Sequence, residues 1–290
     1  MPELPEVEHV KRGIEPYIKN ATIKSVTFSK KVIEGKRQGK ETIIKGINLD
    51  GFCLNSEGYT LKKIQRRSKY IVFNIEKNNN ERILLSHLGM AGGVFIVNQL
   101  SEITTPNYRK HWHVIFHLDN GKKLVYSDIR RFGEIRNLAS FEDYPSFLEI
   151  APEPFDDEAF EHFKDYLNQK KVQNKPIKQM LLDHKIVAGC GNIYACEALF
   201  RAGIHPSRKV KDTTELERKM VFYYVQEVLK EGIDNGGTSI SDYRHADGKT
   251  GEMQLHLNVY KQSKCNVCGH DIEQKVVAAR NSHFCPQCQK

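Results

Sequence analysis

Cys265-Asn266-Val267-Cys268 and, after sixteen intervening residues, Cys285-Pro286-Gln287-Cys288 stand near the end of the chain. Each C-x-x-C turn can place two thiolates on one ion, and two such turns complete a tetrahedral site. The unit from about Leu255 to Lys290 is too short to bury a core of its own, so a bound metal must supply much of its folding energy. Structural Zn²⁺ is the expectation; a redox dithiol pair is the alternative. The unit also carries Lys275, Arg280 and Lys290, which suit phosphate contact. The other three cysteines, Cys53, Cys190 and Cys196, are scattered and read as small buried hydrophobes.

Working back from that unit, the hydrophobic period divides the chain. Thr214-Glu215-Leu216-Glu217 is a capping-box signature. It opens a helix with Leu216, Met220, Tyr224, Val225, Val228 and Leu229 on one face, ending near Gly232. Phe160, Phe163, Tyr166 and Leu167 mark an earlier helix. Between them, KQMLLDHKIVAGCGNIYA (178–195) reads as a short helix, a glycine-bearing turn and a further helix that stops near Gly203. Such a turn can present backbone N–H groups and the Asn192 side chain to a phosphate, or can need glycine for geometry alone. Residues up to about 137 differ. Thr22–Phe28, Tyr70–Ile75, Arg82–Leu85, His113–Leu118 and Lys123–Ser127 are strand-like, with turns at Asn78-Asn79-Asn80 and Asp119-Asn120-Gly121. They predict a mostly β domain, a sandwich or barrel, entered by a helix with Val7, Val10, Ile14 and Tyr17 on its apolar face. The expected organisation is a catalytic domain over 1–137, a proline-bearing linker over 138–155, a helical domain over 156–237, a polar loop over 238–254 and the metal unit over 255–290.

The chain has 290 residues and a formal net charge of +8, with pI near 9.0, which points to a polyanionic partner. No unbroken apolar run approaches a membrane span, and the acidic start lacks a signal region, so membrane and secretory classes are set aside.

The first six residues, Met1-Pro2-Glu3-Leu4-Pro5-Glu6, read as chemistry. Removal of Met1 leaves a free proline. An α-amine has a pKa of about 7.7–8.0, so a useful fraction is uncharged at neutral pH. Such a secondary amine can attack an aldehyde carbon and form an iminium. Glu3 is in reach as acid or base, and Glu6 can hold the amine. The alternative is a solvated acidic tail. Three further stretches bear on a site. Lys62–Tyr70 is basic with apolar neighbours, either a solvated face or a phosphate-gripping edge carrying one lysine into a site. His87-Leu88-Gly89-Met90 and Asp128–Gly133 offer Met90, Arg130 and Phe132 beside glycines, as wedge residues or as core.

In order along the chain, MPELPEVE, RRSKY, HLGM, KHWHV, SDIRRFG, PEP, GCGNIYACE, GIHPSR, ADGKTG, CNVCG and FCPQCQK resemble the formamidopyrimidine-DNA glycosylase family. Each motif is weak alone; together, from first residue to last, they are specific. The resemblance implies an α+β fold: an N-terminal β-sandwich with an N-terminal helix, then a helix-two-turns-helix domain ending in a β-hairpin zinc finger. It implies a bifunctional glycosylase and abasic-site lyase of base excision repair acting on oxidised purines in duplex DNA, or on abasic sites. Pro2 would be the nucleophile, Glu3 the acid/base, and Glu6 its orienting partner. Lys69 would be a proton donor and phosphate contact, and Arg280 the zinc-unit phosphate grip. Met90, Arg130 and Phe132 match the family's void-filling trio. His87, His111, Lys178 and Asn192 match phosphate contacts. Cys265, Cys268, Cys285 and Cys288 would hold one structural Zn²⁺. The 238–254 loop resembles a lid over the lesion. A bacterial, cytoplasmic, monomeric enzyme is implied. Two alternatives stand: an endonuclease VIII-type enzyme for oxidised pyrimidines, and a catalytically silent DNA-binding protein. One departure is local: Tyr260 is followed by Lys261-Gln262 where the family commonly has Gly-Arg.

Overall fold

The computed structural model describes residues 1–239 and 250–290, so residues 240–249 of the expected lesion loop lie outside the described residues. The chain forms two compact units, Met1–Leu148 with Gly236–Gly251, and Glu149–Asn235 with Glu252–Lys290. Residues 138–148, expected as linker, therefore pack with the first unit, and the helical stretch and the cysteine unit share the second.

The first unit opens with α1 (Leu4–Ile18). It continues through β1 (Ile23–Phe28), α2 (Lys30–Arg37), β2 (Ile44–Lys45), α3 (Leu49–Leu54), β3 (Thr60–Arg67), β4 (Tyr70–Lys77), β5 (Asn80–His87) and β6 (Gly92–Val97). It ends with α4 (Pro106–Lys110), β7 (Trp112–Leu118), β8 (Lys123–Asp128), β9 (Glu134–Leu138) and α5 (Pro145–Leu148). Two sheets result, a five-stranded one in the order β2-β9-β5-β4-β3 and a four-stranded one in the order β1-β7-β8-β6. Among these described strands only the β2–β9 pairing is parallel. Both expected turns join strands. At the first, Asn78 and Asn79 take φ of 50° and 62°, the left-handed geometry that a two-residue hairpin needs and that asparagine tolerates.

One core lies between the sheets. Ile64, Ile71, Phe73 and Leu84 of the larger sheet meet Val114, Phe116, Leu124 and Tyr126 of the smaller one. Helix α1 covers this core with Val7, Val10, Ile14 and Ile18, each buried side chain stabilising the fold by roughly 1.5–3 kcal/mol. Tyr17, expected on that face, is 54% exposed; Ile18 takes its place because it continues the Val7–Ile14 row.

The second unit contains α6 (Ala159–Leu167), α7 (Ile177–Leu182), α8 (Asn192–Arg201), α9 (Glu215–Asp234) and a hairpin of β10 (Glu273–Val277) and β11 (Arg280–Phe284). Thr214 caps α9 as expected: its hydroxyl accepts from Glu217 N–H at 3.2 Å, and Glu217 Oε2 accepts from Thr214 N–H at 2.7 Å. The helix runs two residues past Gly232, and its buried stripe is Val221, Phe222, Val225, Val228, Leu229 and Gly232. Leu216 and Met220 are exposed, Leu216 by 69%, because the stripe at i, i+3, i+4 and i+7 passes beside their positions. Helix α8 is the opposite case. It is buried from Tyr194 to Phe200 and forms the centre of the unit.

Candidate active site and phosphate-binding elements

The chain start is folded into the first unit. Glu3 is the N-cap of α1 and Glu6 its third residue, and Glu3 N–H donates to Glu6 Oε2 at 2.7 Å. The Glu3 side chain in turn accepts from the Glu6 N–H, so the two acids form a reciprocal capping box at the start of α1. The other oxygen of Glu6 accepts from Thr238 N–H at 2.6 Å, and Gly237 (φ 77°) packs so close that a Cβ there would lie 2.9 Å from Glu6 Oε1. A buried carboxylate thus ties the chain start to a segment 232 positions away. Pro2 and Glu3 are buried as well.

The α-amine belongs to Met1. Burial pushes its pKa below the ordinary value; Glu3 and Glu6 oppose that shift, while Lys69 and Arg130 add to it. The amine therefore shares its surroundings with two carboxylates and two cations. Trimming Met1 moves the amine inward to Pro2.

Lys69 occupies the two-residue turn between β3 and β4, after Ser68 at φ 54°, and Arg67 pairs with Tyr70 across it. Arg66 fixes this turn by donating to Ser68 O at 3.1 Å and to Glu8 Oε2 of α1 at 3.0 Å. Burial disfavours the charged form of Glu8, but hydrogen bonds and charge from Arg12 and Arg66 outweigh it and hold its pKa below the usual carboxylate value. The basic run of 62–70 is thus a strand with Lys69 at its tip.

Two loops carry the expected wedge residues, and they are docked on each other. Gly89 (φ 61°) presses on the backbone of Gly133, and a Cβ at Gly133 would lie 2.6 Å from His87 O and fall on Tyr126 Oη. Tyr126 Oη donates to His87 O at 2.9 Å. The buried Asp128 carboxylate accepts from Arg130 N–H at 3.0 Å and Gly133 N–H at 2.8 Å, which sets the 130–133 loop. Phe132 is 59% exposed, with the Arg130 guanidinium 4.9 Å from its ring centre, and Met90 is half-buried. Phe132 is thus no core residue. Burial, with Lys69 adding, pushes His87 down to about 4, so its ring is neutral at pH 7; Nδ1 accepts from Gly89 N–H at 3.1 Å. His111 ends α4, with Nδ1 bonded to Asn107 O at 2.8 Å. Asp128 and Tyr126, absent from the expected site, are the groups that hold this pair of loops.

In the second unit, Gly189 (φ 75°) turns the chain into α8, which Asn192 opens. Lys178 is wholly buried and donates to Asn192 Oδ1 and Ser282 Oγ, both at 2.6 Å. Asn192 Nδ2 donates to Asn281 O at 2.9 Å. The turn and the β10–β11 hairpin are therefore pinned together, with Lys178 held behind the surface and Arg280 at the hairpin tip, exposed. Glu197 supplies a second anchor. Fully buried, its carboxylate accepts from the backbone N–H groups of Asn258, Val259 and Tyr260 at 2.7, 3.0 and 2.8 Å.

The four cysteines converge. Their sulfurs lie within 4.8 Å of one another, with Cys265–Cys288 at 3.8 Å and Cys268–Cys285 at 3.4 Å. Tetrahedral Zn–S bonds of about 2.3 Å require sulfurs about 3.8 Å apart, so the donor set fits zinc and argues against the redox pair.

The protein thus combines a sandwich whose chain start buries two carboxylates, a helical turn locked to a four-cysteine hairpin, and an exposed aromatic side chain on a fixed loop. Residues 1–135 match the formamidopyrimidine-DNA glycosylase N-terminal domain, 150–244 its H2TH domain, and 262–290 the zinc finger found in FPG and IleRS. The formamidopyrimidine-DNA glycosylase of Haemophilus influenzae (strain 86-028NP) is 38% identical over all of this chain and 99% of its own. That of Legionella pneumophila (strain Lens) is 38% identical over all of this chain and 98% of its own. Among solved structures, a mutant of the Lactococcus lactis Fpg in complex with Fapy-dG-containing DNA superposes with a TM-score of 0.84, at 33% identity over the full length of both chains. The Thermus thermophilus MutM (Fpg) protein gives 0.82 at 33%, over 99% of this chain and 98% of its own. The chain belongs to the formamidopyrimidine-DNA glycosylase family and is an Fpg-type DNA glycosylase of DNA repair. Its four cysteines hold one structural zinc ion. Among the described residues no helix is long and apolar enough to cross a membrane.

Proposed function

We propose that the protein excises oxidised purines, 8-oxoguanine and formamidopyrimidines, from duplex DNA in the cytoplasm and then cleaves the strand. The observation that carries this reading is the fixed chain start: Pro2, Glu3 and Glu6 are buried, Glu6 is held by the N–H groups of Glu3 and Thr238, and the charges of Lys69 and Arg130 act on the terminal amine. After loss of Met1, the Pro2 nitrogen bonds to C1′ of the deoxyribose, and the bond from C1′ to the base breaks. The base leaves with the electron pair and takes a proton. Glu3 opens the ring by moving a proton to O4′, giving an iminium. The iminium acidifies the C2′ protons. Loss of one expels the 3′ phosphate, and a second elimination expels the 5′ phosphate. Glu6 holds the chain start through Glu3 N–H and Thr238 N–H. Lys69 is assigned proton donation and a phosphate, and Arg280 the phosphates beside the lesion. Met90, Arg130 and Phe132 fill the gap left by the extruded nucleotide. His87, His111 and Asn192 are assigned to backbone phosphates, with Lys178 acting through Asn192 and the hairpin it braces.

Borohydride trapping tests the reading. The Met1-free protein should form a covalent adduct with a duplex carrying 8-oxoguanine opposite cytosine, and blocking the N-terminal amine should abolish it. No adduct would sink the proposal. A second reading has support from a relative: the Lactococcus lactis Fpg has been solved with DNA containing an oxidised pyrimidine. Faster trapping on an oxidised-thymine duplex would favour it.

A further inference from the structure

A cavity of about 410 Å³ opens beside the 130–132 wedge loop. Lys31, Lys40, Lys45, Arg130 and Arg131 line it against a single carboxylate, Glu41. His113, also in the wall, adds no charge at neutral pH. Burial lowers its pKa; Nε2 lies 3.0 Å from Asp128 O and so donates, and Ser29 Oγ lies 3.2 Å from the other nitrogen, Nδ1. The neighbouring lysines of α2 and β2 are already engaged. Lys30 pairs with Glu34, Lys45 with Glu41, and Lys36 donates to Ile47 O. Lys31 and Lys40 have no carboxylate partner among the described residues. Gathering unneutralised cations in a concave wall costs free energy through mutual repulsion, and an anion in the cavity relieves it. Phe132, exposed at the cavity edge, is a flat apolar group of the kind that inserts between bases. Phosphates and a base step are adjacent in one ligand only, a nucleic-acid strand.

We propose that this cavity is a phosphate-binding site for the DNA backbone flanking the wedge, with Lys31 and Lys40 as its contacts. The proposal rests on the DNA-binding reading above and adds residues which that reading does not use. The cavity takes phosphodiesters, and its lysines hold the backbone while Phe132 enters the stack.

The test compares the full-length protein with its Lys31→Ala/Lys40→Ala variant on a duplex carrying a tetrahydrofuran abasic analogue, which cannot be cleaved. Affinity is measured from about 50 to 200 mM salt. Each phosphate contact contributes about 0.9 to the slope of log affinity against log salt, so the variant should be shallower by about 1.8. Across that fourfold range the wild type should lose about tenfold more affinity than the variant. A control, Lys30→Ala/Lys62→Ala, removes two cations that already pair with Glu34 and Glu76, and its slope should match the wild type. Wild-type binding with an unchanged slope in Lys31→Ala/Lys40→Ala overturns the cavity assignment alone; no wild-type binding overturns the functional reading. Titration with inorganic phosphate separates the sources. Binding of the free ion that the double variant abolishes, with the duplex slope unchanged, makes the cavity a small-anion site and overturns the DNA assignment.

Discussion

Gly133→Ala is the sharpest test of how the 130–133 loop is held. An added methyl at Gly133 falls on Tyr126 Oη and comes within 2.6 Å of His87 O and 3.1 Å of Asp128 Oδ2. It therefore breaks the 2.9 Å bond from Tyr126 to His87 O and pushes on the carboxylate that sets the loop. Overpacking costs about 1–3 kcal/mol. A buried hydroxyl left without its partner adds about 1–3 kcal/mol. The expected loss is roughly 3–5 kcal/mol, or about 10 °C in Tm for a unit of this size. Gly121→Ala is the internal control. Gly121 has φ 82° but nothing within 4 Å of an added Cβ, so it should lose only the left-handed strain of about 1–2 kcal/mol. Tyr126→Phe then closes a double-mutant cycle. It removes the oxygen that the methyl meets, so the double variant should be about 2 kcal/mol more stable than the sum of the single losses. The measurement is urea unfolding followed by tyrosine fluorescence and far-UV circular dichroism. Equal losses for Gly133→Ala and Gly121→Ala, or strict additivity with Tyr126→Phe, would refute the claim that the two loops are locked face to face.

Three further outcomes follow from other parts of the molecule. Glu197→Gln puts an amide N–H₂ toward backbone donors, so it should destabilise the second unit by about 2–4 kcal/mol and accelerate zinc release to a chromogenic chelator; unchanged release would show that the anchor is dispensable. His87 is pushed down to about 4 in the fold against about 6.5 unfolded, so the unfolded chain binds more protons between those values. Its contribution, at most about 3 kcal/mol, should be full above pH 6.5 and fade as pH falls toward 4, and His87→Asn should flatten that limb of a stability–pH curve. Stripping zinc should unfold the β10–β11 hairpin and remove DNA binding, leaving the sandwich core intact; a hairpin that keeps its amide protection from hydrogen exchange without metal would contradict this.

The parts legible in the sequence were those whose information is local. Cysteine spacing, the Thr214 capping box, the Asn78-Asn79 turn and the strand alternation each lie within a few residues, and each specifies geometry by itself. The β10–β11 hairpin shows the limit. Its two-residue turn is Ala278-Ala279 at φ 52° and 55°, a strained choice that carries no turn signal and that only pairing of the flanking strands enforces. Helix α9 shows another. Its pattern allowed a face beginning at Leu216, and contact with the rest of the second unit selected Val221 and Phe222 instead.

The sequence by itself determined the order of elements, the zinc ligands and the chemical types at the chain start, because these depend on residue identity and short spacing. Tertiary structure decided which groups share an environment. Glu6 finds its second partner at Thr238, Lys178 is held by Ser282 104 positions on, and Glu197 anchors a backbone segment 61–63 positions on. Buried polar groups must be satisfied wherever the fold brings a donor. That requirement turns the acidic start Pro2-Glu3-Leu4-Pro5-Glu6 from an exposed tail into a fixed, desolvated site.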